Sequence, residues 1–277
     1  MDLQDVRPKS QAELLFEAQL RKDRQFRMNV AISWIVLLVI LLAIFSGEGN
    51  LPFGIHGIQL DTAFLSANWS FIASGITQTI WISILSILLA TLLALLAALG
   101  RLSKFAPFYA LSTFYVSLIR GTPLYLQIFF FFLALPQLGI ILPGLIAGVL
   151  ALGLNYGAYM SEIFRAGIAA VGKGQREAAM ALGMTPGQTM RRIVLPQALR
   201  FAIPPTGNEF IAMTKDSALV SATGFVHELM WRATKVGRAH FRNLEALIIA
   251  AIFYWIMTLI LTALQSRLEA RMSKGER

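Results

Sequence analysis

The stretch GQREAAMALGMTPGQTMRRIVLPQALRFAIPP, residues 174–205, decides how the whole chain is interpreted. It is too polar to cross a bilayer, yet apolar runs lie on both sides of it. Its first part, 175–182, carries Glu177 in the opening turn and several alanines, which favours a helix with a low surface profile. Gly183 follows, at a position where a left-handed residue commonly ends a helix. The stretch therefore predicts a polar helical element set between membrane spans.

A second short helix is predicted directly after Gly183. Thr185 is placed as its N-cap, Pro186 stands at the first helical position, and Gln188 reaches back as in a capping box. Pro196 is expected to interrupt this helix, because a proline removes a backbone donor and clashes with the preceding turn. The two helices are thus predicted to meet at a sharp corner and to form a hairpin.

This hairpin resembles the EAA loop of permease subunits of bacterial ABC importers. The family pattern is Glu-Ala-Ala, three residues, Gly, nine residues, Ile, one residue and Leu-Pro. The resemblance implies a cytoplasmic coupling hairpin, within residues 174–200, that docks into a groove on an ATPase subunit. An ordinary amphipathic surface hairpin is the alternative, and it would make agreement at every fixed position a coincidence. The matching residues are Glu177, Ala178, Ala179, Gly183, Ile193, Leu195 and Pro196.

The composition places the chain outside the range of soluble globular domains. It is 56% hydrophobic and 14% charged, with a mean hydropathy of +0.64. The absence of cysteine excludes disulfides and thiolate metal sites. The net charge of +9 would suit a nucleic-acid partner, but the basic residues cluster beside apolar runs, as orientation signals do. A membrane protein without a nucleic-acid partner is therefore expected.

The apolar runs predict an all-α polytopic membrane protein with about six transmembrane helices. Residues 105–119 are predicted to form a helix near the membrane surface or a short re-entry, followed by a break at Arg120. Residues 46–70 and 227–243 are predicted loops. The predicted spans are residues 28–45, 71–99, 124–135, 143–168, 203–224 and 244–264.

The N-terminal part is predicted to differ from the rest. Residues 1–27 contain a capping-box pattern at Ser10 to Glu13 and suit an interfacial helix on the cytoplasmic surface, with a disordered tail as the alternative. Residues 28–45 are predicted to be an additional transmembrane helix. A signal peptide is disfavoured, because the preceding region is long and mixed in charge and no small-residue cleavage site follows.

Orientation follows from the basic residues near the ends of the spans. With both termini in the cytoplasm, 19 lysines and arginines lie inside, and Arg232, Lys235, Arg238 and Arg242 lie outside. This topology puts the hairpin in the cytoplasm, where an ATPase can reach it, and the C-terminal tail, 271–277, on the same side. The expected location is therefore the bacterial cytoplasmic (inner) membrane.

The segment RGTPLYLQ, residues 120–127, resembles one shared by the polar-amino-acid branch of these permeases, which handles histidine, glutamine, glutamate, arginine and opines. The resemblance covers about residues 65–270 and implies the ABC importer permease helix bundle. It also implies the partners: ATPase subunits, a second permease subunit that is identical or homologous, and an extracytoplasmic amino-acid-binding protein. ATP binding would then switch the bundle between inward-facing and outward-facing states.

A polar group interrupts the predicted fifth span. Ionisable residues in a membrane normally face a cavity or one another and mark a pathway. Asn208 and Lys215 are seven residues apart on one helical face, and Glu209 and Asp216 form a neighbouring stripe. Lys215 could meet the carboxylate of an amino acid, and either acid could meet its ammonium group. Structural neutralisation of Lys215 by an acid, or a place in the subunit interface, remains the alternative.

Two glycine pairs and a stretch similar to a phosphate-binding loop also lie in the sequence. Gly144/Gly148 and Gly153/Gly157 suit close helix packing within the bundle or between subunits. Residues 167–174 are one residue short of a phosphate-binding loop, because Gly174 stands where Ser or Thr should hold magnesium. The chain is therefore expected to bind no cofactor, and ATP and magnesium are assigned to the partner ATPase.

Other classes of function are less well supported by the residues. The sequence contains no recognisable metal or catalytic motif, so an enzyme is not expected. A membrane channel or secondary carrier for small polar solutes is the main alternative, but it would need no docking hairpin and no inverted repeat is evident.

Overall fold

A computed structural model describes residues 11–44, 50–51, 55–56 and 58–273. The chain divides into two compact units, Met1–Thr62 and Ala63–Arg277. The first contains helix α1, Gln11–Ile44, and a small antiparallel hairpin of strands β1, Asn50–Leu51, and β2, Ile55–His56.

Helix α1 continues through residue 28, where a boundary between an interfacial helix and a membrane span was predicted. The predicted interfacial segment and the predicted span form one continuous helix of 34 residues. The physical reason is that no glycine or proline stands between Gln11 and Ile44 to end a helix. The capping box predicted at Ser10 to Glu13 lies outside the residues and side chains that the structure describes.

The second unit is a helical bundle, which confirms the all-α fold. Beyond the regular helices, π-helical turns cover Phe130–Ala134 and Met190–Val194, and 3₁₀ turns cover Leu135–Leu138 and Ser217–Thr223. The helices are α2 (Thr62–Ala73), α3 (Gly75–Arg101), α4 (Ala106–Arg120), α5 (Leu124–Phe129), α6 (Gly144–Ala170), α7 (Lys173–Ala181), α8 (Pro186–Thr189), α9 (Leu195–Asp216), α10 (Leu229–Ala239) and α11 (Asn243–Ser273).

Among the described residues, four helical stretches are long and apolar enough to cross a membrane. A fifth is counted if α4 and the helical segment from Leu124 to Leu138, bent by 105° at residues 121–123, make one broken span. The predicted number was about six, and the difference is α9, which is too polar to qualify by composition. The stretches are Leu14–Leu41, Thr62–Arg101, Gly144–Ala170 and Asn243–Met272.

Helices α3, α6 and α9 form the centre of the bundle, and small residues set their spacing. Gly148 and Gly153 pack against Val220 and Leu89, where an added Cβ would lie 2.7 and 2.6 Å from side-chain carbons. Gly157 similarly meets the hydroxyl of Tyr115. The predicted use of the glycine pairs in close packing within the bundle is confirmed.

The contacts define two ends of the bundle. At one end Arg101 of α3 pairs with Glu162 of α6, close to where α6 leads into α7; this is called the hairpin end. At the opposite end Gly75 of α3 lies against the backbone of Leu229, and Gly144 of α6 lies against Phe225; this is called the far end. Helices α3 and α6 therefore each run from one end to the other.

Four predicted loops and helix ends are wrong in detail. Helix α2 occupies part of the predicted 46–70 loop, and α10 occupies most of the predicted 227–243 loop. Pro196 does not interrupt the helical course after the hairpin, because the π-helical turn at Met190–Val194 widens the backbone just before it and Pro196 falls in the first turn of α9. The α-helical part of the predicted fifth span ends at Asp216.

Helix α10 is fastened to the bundle by a buried acid. The Glu228 side chain is fully buried and accepts hydrogen bonds from the backbone N–H groups of Met230 and Trp231, as an N-cap does. The Tyr254 hydroxyl of α11 donates to the same carboxylate at 2.7 Å. Burial raises the pKa of Glu228 above its ordinary value, and these hydrogen bonds oppose that shift. The acid thereby joins α10 to α11.

Candidate functional site

A pocket of about 260 Å³ lies near the middle of the bundle. The break between α4 and α5 forms one wall, the middle of α6 forms the second, and the C-terminal half of α9 forms the third. Each wall contributes polar groups. The lining residues are Thr122, Pro123, Leu124, Asn155, Tyr156, Tyr159, Glu209 and Asp216.

The pocket is acidic. Glu209 and Asp216 stand two helical turns apart on the same face of α9, and both line the cavity. The Tyr156 hydroxyl donates a hydrogen bond of 2.8 Å to Asp216 Oδ2, so this carboxylate is held in place by α6. None of the lining residues is basic. The arrangement suits a ligand that brings positive charge.

A buried amide holds the wall at the α4–α5 break. Gln127 donates through Nε2 to the carbonyl oxygens of Ile119 and Thr122 and to the Thr122 hydroxyl, at 2.9 to 3.1 Å. Its Oε1 accepts from Asn155 Nδ2 at 3.2 Å. Both hydrogen-bonding ends of this side chain are therefore used, which fixes the turn at Thr122 against α6.

An ion-pair cluster lies at the hairpin end, next to Tyr159 of the pocket. Glu162 of α6 pairs with Arg101, with Arg165 at 2.8 Å and with Arg120 at 3.2 Å. The Arg120 guanidinium also lies over the ring of Tyr159, 5.2 Å from its centroid. The cluster ties the ends of α3 and α4 to α6, directly behind one wall of the pocket.

The structure separates the four predicted substrate residues into two pairs. Glu209 and Asp216 line the pocket. Asn208 and Lys215 are exposed on the neighbouring face of α9 and do not line it. The sequence reasoning missed Thr122, Asn155, Tyr156 and Tyr159. Asn155 was detectable, since it is an amide in the middle of an apolar span.

The predicted coupling hairpin has the expected local geometry. Gly183 has φ +78°, and the capping box of Thr185 and Gln188 is complete, which confirms both predictions. Ala179 is buried, whereas Glu177 and Gly183 are exposed. An added Cβ at Gly183 would meet nothing within 4 Å, so the backbone of this turn is open to an approaching surface. Of the remaining predicted residues, Ala178 and Pro196 are exposed, and Ile193 and Leu195 are partly buried.

No cluster of three or more histidine, aspartate or glutamate side chains that could hold a metal occurs among the residues that the structure describes. Residues 167–174, the near-match to a phosphate-binding loop, cover the end of α6 and the start of α7. That loop should follow a strand, and here a helix precedes it.

Comparison with known proteins places this geometry in a family. Residues 90–274 match the model of the family described as binding-protein-dependent transport system inner membrane component. The arginine transport system permease protein ArtQ of Bacillus subtilis (strain 168) is 41% identical over 220 residues, which are 79% of this chain and 100% of that protein. The glutamine transport system permease protein GlnP of Escherichia coli (strain K12) is 36% identical, over 78% of this chain and 99% of that protein.

Solved structures agree with the sequence comparison. A crystal structure of an amino acid ABC transporter with histidines superposes with a TM-score of 0.73 at 38% identity, over 77% of this chain and 99% of that chain. An inward-facing structure of the MetNI methionine ABC transporter gives a TM-score of 0.60 at 16% identity, over 77% of this chain and 99% of that chain, which shows a shared fold. The chain therefore belongs to the family of inner-membrane permease components of binding-protein-dependent ABC transport systems, and it is a transport subunit that works with an ATPase.

Proposed function

We propose that this chain is the permease subunit of an importer that moves polar amino acids across the cytoplasmic membrane by alternating access. The observation that carries the proposal is the acidic pocket formed by Glu209 and Asp216 midway through the bundle. The names of the matched relatives support it, since they include permeases for arginine and for glutamine. A second permease subunit and an extracytoplasmic binding protein complete the proposed assembly.

The pocket's charges favour one class of amino acid. An α-ammonium group placed against Asp216 would satisfy one carboxylate, and Glu209 would remain for a second cation. Because no basic side chain lines the pocket, a substrate with a cationic side chain fits better than an acidic one. We therefore assign the pocket to amino acids with a basic side chain first and to neutral polar ones second.

The substrate carboxylate is assigned to the neighbouring face of α9. Lys215 and Asn208 are exposed on that face in the single chain. In a pair of permease subunits this face would line a shared pathway, and Lys215 would lie next to the acidic stripe along the same helix. The two stripes together provide the opposite charges that a zwitterion needs.

Orientation is part of the proposal. The hairpin end carries Arg101, Arg165 and the basic residues of the hairpin, so it is assigned to the cytoplasm. Gln265 of α11 donates to the carbonyl of Pro204, in the N-terminal half of α9, so we assign the C-terminal part of α11 to the same end. The far end then faces outward. Glu177 and Gly183, exposed at the hairpin end, are assigned to the contact with the ATPase.

The test is ATP hydrolysis by the purified complex in proteoliposomes, with its binding protein and a panel of amino acids. We expect stimulation by amino acids with a basic side chain, and the largest loss of stimulation in Asp216→Asn. Lys215→Ala should weaken stimulation by every amino acid, because all of them carry the α-carboxylate. If wild-type activity responds to no amino acid, the proposed function is wrong. If it responds and both variants respond equally well, only the assignment of the site is wrong.

A further inference from the structure

One residue at the far end of the bundle has a conformation that its side chain disfavours. Phe241, between α10 and α11, has φ +55°, and its side chain is 91% exposed. The turn is a Schellman motif, because the Arg242 N–H bonds to the Gly237 carbonyl and the Phe241 N–H bonds to the Arg238 carbonyl. Phe241 therefore stands at the position that glycine usually takes.

The chain uses glycine at every other such position that the structure describes. Gly139, Gly183 and Gly224 have φ values of +78° to +80°, and Phe241 is the one residue other than glycine with positive φ in the described ranges. A left-handed residue with a Cβ is strained, because its Cβ lies too close to the following carbonyl oxygen. A ring that is 91% exposed offsets little of that strain through packing within this chain. Strain retained without a local benefit points to a function outside the chain.

Basic residues precede and follow Phe241 in the sequence. Lys235 and Arg238 are exposed on α10, and no carboxylate among the described residues lies within ion-pairing distance of them. Arg242 faces Glu245 at 3.6 Å and stays about half exposed. An exposed aromatic ring between arginines is the composition of the energetic centre of a protein interface.

The support beneath this surface is rigid. An added Cβ at Gly237 of α10 would lie 2.9 to 3.1 Å from atoms of Asn243 and Ala246, so α10 and the start of α11 are in close contact. The neighbouring His240 ring lies edge-on to Phe64, with 5.7 Å between centroids. A preorganised surface loses little conformational entropy on binding, which favours recognition by a folded partner.

We propose that Phe241, Arg238 and Arg242 form a docking knob for the extracytoplasmic binding protein, which would present an acidic surface with an apolar recess for the ring. The inference rests on the proposed function, because it needs the far end to face outward. Charge decides between occupants: Arg238 is exposed without a carboxylate within ion-pairing distance among the described residues, so the surface suits an acidic protein and repels a second copy of itself. Phospholipid contact is the competing outcome of the test.

The first arm measures ATP hydrolysis in proteoliposomes against the concentration of the binding protein that stimulates the wild-type complex. Phe241→Gly is the decisive variant, since glycine relieves the strained φ and removes the ring. We expect its melting temperature to rise and the half-saturating concentration of binding protein to increase about tenfold, the effect of losing one interface anchor. Arg238→Glu should also increase the half-saturating concentration of binding protein. Basal hydrolysis should stay unchanged in both variants.

The control is Phe105→Ala, which removes a ring that is also exposed but lies at the start of α4, next to the hairpin end. It should leave the response to the binding protein unchanged. A Phe241→Gly variant that responds like the wild type would overturn the docking knob and leave the proposed function intact. A wild-type complex that no binding protein stimulates would refute the proposed function, and the docking knob with it.

The second arm separates protein from lipid. The chain has no cysteine, so Phe241→Cys provides a single thiol for a membrane-impermeant maleimide. We expect rapid labelling in proteoliposomes and protection when the stimulating binding protein is added. If the thiol is labelled in detergent but is already protected in vesicles without binding protein, the position faces lipid, and the proposal is wrong.

Discussion

Helices α7 and α10 lie at opposite ends of one bundle and end in the same way. Each closes with a Schellman motif: Met184 N–H to Ala179 carbonyl after α7, and Arg242 N–H to Gly237 carbonyl after α10. Each turn then leads back into a longer helical segment of the bundle.

The left-handed position distinguishes the two turns. After α7 it is Gly183, whose backbone is open because an added Cβ would meet nothing within 4 Å. After α10 it is Phe241, whose exposed ring keeps the strain. The hairpin end thus offers an accessible backbone to a partner that approaches closely, and the far end offers a side chain. In the two proposals above, one turn geometry therefore serves two modes of recognition.

The largest expected effect is at the hairpin end. Gly183→Arg should abolish transport and binding-protein-stimulated ATP hydrolysis, because the side chain fills the space that an ATPase groove needs. Membrane insertion should be normal. The matched control is Gly139→Arg, which has the same left-handed strain of about 1–2 kcal/mol and the same open space but lies towards the far end. Equal loss in both variants would mean that strain, rather than docking, explains the defect.

The second effect concerns the fastening of α10. Glu228→Ala should lower the free energy of unfolding by about 2–4 kcal/mol, because it removes the N-cap and the carboxylate that accepts from the partly buried Tyr254 hydroxyl. Glu228→Gln keeps one acceptor and should lose less. The measurement is reversible unfolding in mixed detergent micelles. A loss below about 0.5 kcal/mol, the size of a surface substitution, would show that the acid does not hold α10.

The third prediction compares one substitution at the two ends. Gly237→Ala should destabilise the protein by about 1–3 kcal/mol, since its Cβ would lie 2.9 Å from Asn243 Oδ1. Gly174→Ala in α7 should stabilise it by about 0.4–1 kcal/mol, since that position is helical and open. Thermal melting of the two variants tests the signs. Equal signs would contradict the difference in packing between the two helices.

The smallest effect is at the capping box. Thr185→Ala should reduce stability by about 1 kcal/mol, because it leaves the Gln188 N–H without its side-chain acceptor. Hydrogen exchange of the hairpin amides should speed up, while exchange of α10 amides stays unchanged. Thr185→Ser keeps the acceptor and serves as the control. Faster exchange at both ends would indicate that the hairpin and α10 open together.

Local signals in the sequence were reliable at the hairpin and unreliable at α10. The capping box and Gly183 act over a few residues, so their pattern is visible in the chain and the structure confirms both. Helix α10 was predicted as a loop because it is short and basic. Its N-cap is Glu228, an uncommon capping residue that works here only because Tyr254 and α3 bury it.

Two of the pocket residues were predicted, because their signal is also local in the sequence. Glu209 and Asp216 share a helical face, and helical spacing can be read from the chain. Asn155 and Gln127, and Tyr156 and Asp216, are hydrogen-bonded pairs that lie 28 and 60 residues apart in the sequence. No local pattern contains such pairs, since they depend on how α5, α6 and α9 pack.

The sequence by itself determined the membrane class, the all-α fold, the capping box and left-handed glycine of the hairpin, and the family, because hydropathy, capping and motif spacing all act along the chain. Only the tertiary structure decided which polar residues share the pocket and that residues 229–239 form a helix, α10, packed against the bundle. It also decided that Phe241, with its ring exposed, takes the left-handed position after α10 that glycine usually takes. Those features depend on burial and on contacts between distant segments, which exist only after the helices have packed.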